Sequence, residues 1–164
     1  MELKELVPPL ELCKQIPDGE FAGSPFVWVE EWAYDEINGE KVKCFIYLEL
    51  SSGYMVVNPK PTKEVAEEIF NTTGKRPVRA ITPAPTLQEI MADCKDIPRV
   101  LNPTLWWQGI WKVDCAIDKS GKLSDEFFDD ADLCNLDLAC AEDESAATAA
   151  LKLWLKLKGI EYDK

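Results

Sequence analysis

The sequence predicts an α+β domain, an antiparallel sheet built from hairpins or a meander with helices packed on one face. Three observations carry that expectation. Residues 26–50 hold two runs of period-two alternation around Asn38-Gly39, a turn signal for paired strands. Two later segments start with helix-capping residues and continue with apolar positions at helical spacing. Finally, 46% hydrophobic residues with six Trp and six Phe provide enough apolar side chain for a real core in 164 residues.

In chain order, Pro8-Pro9 suits a helix start, residues 10–16 continue it, and Pro17-Asp18-Gly19 stops it. Phe26 to Tyr34 reads as a strand with Val27, Val29 and Glu31 on one face and Phe26, Trp28, Glu30 and Trp32 on the other. Lys41 to Leu50 is its hairpin partner. After Ser51-Ser52-Gly53, residues 54–57 are expected as a third strand of a meander. Thr62 is placed to cap a helix whose buried face is Val65, Ala66, Ile69 and Phe70, with Gly74 beyond its end. Residues 76–81 fit a short strand or an extended linker interrupted by Pro77.

Thr86 and Glu89 have capping-box spacing, and Leu87, Ile90, Met91 and Cys94 share one face of the helix that follows. Residues 104–117 read as strand, with Gly109 as a bulge or a close-approach point. Trp106, Trp107 and Trp111 are expected in the core. Residues 133–141 alternate as a half-buried strand that pairs back. Ser145 opens a last helix, Gly159 closes it, and Lys152, Lys156 and Lys158 mark a narrow wet stripe. The chain is read as a single domain, 1–164, with two loosely similar halves, 1–81 and 82–164.

Charge narrows the function classes. There are 30 acidic and 18 basic residues and no histidine, for a net charge of -12. Without histidine, the commonest general base, nucleophile partner and metal ligand are missing. Cys13, Cys44, Cys94, Cys115, Cys134 and Cys140 contain no C-x-x-C pair, and most have an apolar residue beside them, as in Leu12-Cys13 and Cys44-Phe45-Ile46. They are expected as reduced, mostly buried thiols. No catalytic residue, metal site or cofactor is expected, and no nucleotide or hydrolase motif occurs. Acidity disfavours direct contact with nucleic acid or an anionic membrane. No apolar run is long enough to span a bilayer, and the N-terminus lacks the pattern of a secretory signal, so a cytoplasmic location is expected.

The acidic residues are unevenly placed. Residues 123–151 contain no Lys or Arg but hold nine carboxylates, including Asp125, Glu126, Asp129, Asp130, Asp132, Glu142, Asp143 and Glu144. These eight form the candidate interaction face. A protein partner is the leading expectation, with exposed aromatics nearby. One alternative is an acidic inhibitor whose carboxylates imitate nucleic-acid phosphates in the basic groove of a host defence enzyme. A small carboxylate-based hydrolase is the other.

Two segments carry a resemblance. ITPAPTLQEIMADC (81–94) is similar to the P-T-L-Q-E helix of small proteins encoded by phages and integrated elements of gut bacteria. DESAATAALKLWLKLKGI (143–160) resembles their closing A-A-x-A-L-x-L-W helix, and PPLELCKQIPDGEFAGSPFVW (8–28) is similar to an N-terminal segment of some members. The shared motifs are helix caps and core positions, so no functional residue transfers. The resemblance implies a phage or prophage origin and an intracellular setting.

Overall fold

Helix caps and strand alternation become two three-stranded antiparallel sheets and three helices in the computed structural model, which describes residues 6–34, 41–53, 56, 78–119 and 136–162. The fold is α+β. The chain divides into two compact units, one comprising Ala22–Ala84 and the other Met1–Phe21 together with Pro85–Lys164. The first 21 residues thus group with the C-terminal part of the chain.

In the first unit, β1 (Phe26–Tyr34) pairs antiparallel with β2 (Lys41–Leu50), from Phe26 opposite Leu50 to Tyr34 opposite Lys41. Their connection, with Asn38-Gly39, lies outside the described residues, as do the expected helix from Thr62 and most of residues 54–57. Val56, the one described residue of 54–57, donates its N–H to the Leu48 carbonyl of β2 at 3.0 Å. The third strand is β3 (Val78–Pro83), on the far side of β1, giving the order β2-β1-β3. Pro83 is tolerated because β3 is an edge strand, and ladder pairing resumes where the Ala84 N–H donates to the Phe26 carbonyl at 3.0 Å. Val29 and Leu48 are fully buried on opposite faces of this sheet.

In the second unit, α1 is only Leu10–Cys13, shorter than expected. Gln15 and Ile16 instead donate to Leu12 and Cys13, tightening the chain into three-residue turns before Pro17, which disfavours helical geometry in the residue before it. The next helix, α2 (Leu87–Asp96), has the full capping box. Thr86 Oγ1 accepts from the Glu89 N–H, the Glu89 carboxylate accepts from the Thr86 N–H, and Ile90 and Cys94 are buried.

β4 (Val100–Trp107), β5 (Trp111–Asp118) and β6 (Leu136–Asp143) form a meander in that order. The expected single strand over 104–117 is two. Gly109, at φ 74°, lies in the hairpin turn rather than at a bulge, with the Gln108 N–H donating to Ile110. The irregularity falls instead between Leu101 and Thr104, where Asn102 has φ 49° and Pro103 has no N–H for the ladder.

The last helix, α3 (Ala146–Leu157), is capped by Ser145 and closed as expected at Gly159. Gly159 has φ 73°, its N–H donates to Lys156, and the Ile160 N–H donates to Leu155, a complete Schellman closure. Eight of its twelve residues are buried against β5, β6 and α2. Trp154 anchors the packing: its indole N–H donates to Asp93 at 2.6 Å and its ring lies 5.1 Å from Phe21. Lys158 sits 5.0 Å over that ring and pairs with Glu20.

Candidate interaction site

Alternation along the second sheet decides which side chains meet the helices. Val113, Cys115 and Ala139 point inward and are buried. Their neighbours Lys112, Asp114, Leu138, Cys140 and Glu142 therefore occupy the opposite face. Leu138 is 83% exposed there. Trp106, opposite Lys112, shares that face at 39% exposure. Its indole N–H donates to Asp114 at 2.8 Å and Lys112 lies 5.4 Å over its ring, which holds the ring at the surface.

The expectation of a buried Trp cluster is therefore corrected. Trp107 is 57% exposed and rests against Trp111, with ring centroids 5.2 Å apart and a 59° tilt. The signal was in the sequence. Adjacent residues of a strand face opposite sides, so Trp106 and Trp107 cannot share one core. Of the four cysteines whose side chains are described, Cys13, Cys94 and Cys115 are buried free thiols, in line with the expectation of mostly buried thiols, whereas Cys140 is exposed on the outer face. Burial pushes the Cys94 thiol up to about 12 and Cys115 to about 11, which leaves both protonated and unreactive near neutral pH. Cys134 and the Cys44 side chain lie outside the described residues.

Of the eight acidic residues expected at the interaction face, Asp125, Glu126, Asp129, Asp130 and Asp132 lie outside the described residues. The other three adjoin at the junction of β6 and α3, with different tasks. Glu142 pairs with Lys112 at 3.3 Å. Asp143 meets Lys152 at 2.8 Å and accepts the Ser145 N–H at 3.0 Å, so it is part of the helix start. Glu144 is exposed and has no ion-pair partner among the described residues.

Glu144 borders a cleft of about 590 Å³ within the second unit. Leu6, Leu87, Trp111 and Ala146 give it apolar walls, and the caps Thr86 and Ser145 bring the starts of α2 and α3 to its rim. Its size falls within the range of small-ligand and side-chain pockets. No sequence pattern announced it, because its walls come from four separated segments. Among the described residues, no cluster of metal-ligating side chains occurs.

The first unit holds a polar cluster that the sequence did not reveal. Arg79 Nε lies 3.0 Å from Glu31, and its other arm meets Glu49. The Tyr47 hydroxyl donates to Glu31 at 2.5 Å. Burial, reinforced by that hydrogen bond and the Glu31 charge, pushes the Tyr47 hydroxyl above the usual tyrosine range. The two carboxylates are tied to a guanidinium and a phenol. A sugar-cleaving pair would instead flank a substrate with one acid free to donate its proton. The cluster holds the three strands of the first sheet together.

No helix among the described residues is long and apolar enough to cross a membrane. In comparisons with known proteins, no family model, curated protein or solved structure matches the chain.

Proposed function

We propose that the chain is a non-enzymatic protein-binding module of phage or prophage type that works in the cytoplasm and engages its partner through the second unit. One observation carries this reading: Trp106 and Leu138 stand exposed on the outer face of the second sheet while the core beneath it is filled. Large apolar side chains at a surface rimmed by carboxylates mark contact sites more often than they serve a monomer. Tryptophan in particular contributes much of the binding energy where interfaces form.

A second reading is favoured by the nine carboxylates and absent cations of residues 123–151. The same unit would then act as an acidic inhibitor of a host nucleic-acid-binding defence protein. The test is affinity capture from a gut-bacterial lysate with elution in salt steps. A specific partner retained through high salt fits the apolar contact. A nucleic-acid-binding protein released at moderate salt fits the inhibitor, because charge pairing weakens as the Debye length shrinks. Recovery of no specific partner contradicts both.

A further inference from the structure

We propose that the cleft at the starts of α2 and α3 receives a basic, apolar segment of the protein partner, with an Arg or Lys head at Glu144 and apolar groups against Trp111 and Leu87. This rests on the reading of the chain as a protein-binding module and adds the chemistry of one subsite. The cleft, about 590 Å³, offers apolar walls and one indole, and Trp107 packs against that indole at a tilt of 59°.

Charge selects the occupant. A helix start ordinarily favours an anion, through its unpaired N–H groups and its dipole. Here both starts already carry their own carboxylates: Glu89 closes the capping box on Thr86, and Asp143 accepts from Ser145. Lys112 and Lys152 engage Glu142 and Asp143, which leaves Glu144 as the carboxylate at the rim without an ion-pair partner among the described residues. A cation there gains a carboxylate and an aromatic face together, while its alkyl stem covers apolar wall. A chain of net charge -12 also attracts a basic segment at long range.

The experiment selects binders from a displayed library of random heptapeptides on the whole chain, then measures one synthesised peptide against wild type, Glu144→Lys and Gln88→Trp. Both substituted positions are exposed, so the variants should keep the wild-type melting temperature, checked by circular dichroism. Enriched peptides should carry Arg or Lys beside an aliphatic or aromatic residue. Their affinity should fall at least tenfold in each variant, by charge reversal in one and by filling of the cleft in the other. Enrichment of peptides without a basic residue, no enrichment at all, or binding to both variants as tight as to wild type would overturn the assignment. Basic peptides that bind both cleft variants normally but are lost with Trp106→Ala would overturn the cleft alone. The protein-binding reading would stand in that case, whereas failure of lysate capture would count against that reading itself.

Discussion

Arg79 shows how much one side chain can organise at the surface of a small sheet. It reaches from the edge strand β3 to Glu31 on the central strand and to Glu49 on β2, both largely shielded from water. Removing it would leave two shielded carboxylates facing one another. Arg79→Met is therefore expected to lower stability by about 2 kcal/mol in urea unfolding. That is less than a fully buried pair would lose, because the guanidinium is partly exposed. The hydroxyl of Tyr47 adds a pH dependence with a definite sign. Its folded-state pKa lies above the unfolded value near 10, so its contribution is complete below pH 10 and is lost as the pH rises beyond it. Wild type should be more stable than Tyr47→Phe at pH 8, and the gap should close in alkaline solution. A gap that stays constant to pH 11 would contradict the assigned bond. None of this was legible in the sequence, because Arg79 lies 30 residues from Glu49 and only the pairing of β3 with β1 brings them together.

At the level of single elements, local signals were the readable ones. The Thr86–Glu89 box and the Ser145 and Gly159 caps appear where the sequence places them, because a cap is decided within four or five residues. The short α1 and the split of residues 104–117 were missed for a related reason. Both depend on where hydrogen bonds are interrupted, at Pro17 and at the Gly109 turn, and apolar periodicity does not report that. Gly159→Ala tests the closure of α3. An added Cβ there would meet no atom within 4 Å, so its cost comes from the left-handed backbone alone. The expected loss is about 1 kcal/mol, measured as a lower urea midpoint with unchanged slope. A neutral result would mean that the Schellman closure contributes nothing to the stability of α3.

At the scale of the whole molecule, the chain distributes different tasks over two units. The first is a sheet held by an ionic and phenolic cluster. The second is a meander whose inner face is covered by α2 and α3 and whose outer face presents Trp106 and Leu138. The α+β class was readable from composition and alternation, but the order β2-β1-β3 was not, since a strand's partner is set by contacts far away in sequence. The candidate surface was legible in part. Acidity pointed to the stretch ending in Glu142, Asp143 and Glu144, whereas the exposed tryptophans were mistaken for core because their count was weighed before their alternation.

The most direct measurement compares two baits in one lysate capture, wild type and the double variant Trp106→Ala/Leu138→Ser, quantified by mass spectrometry. Both substitutions are at exposed positions, so the two baits should melt at similar temperatures. A partner retained by wild type and depleted at least tenfold on the variant is the predicted result. Equal retention on both baits would contradict the claim that this sheet face is where the molecule binds.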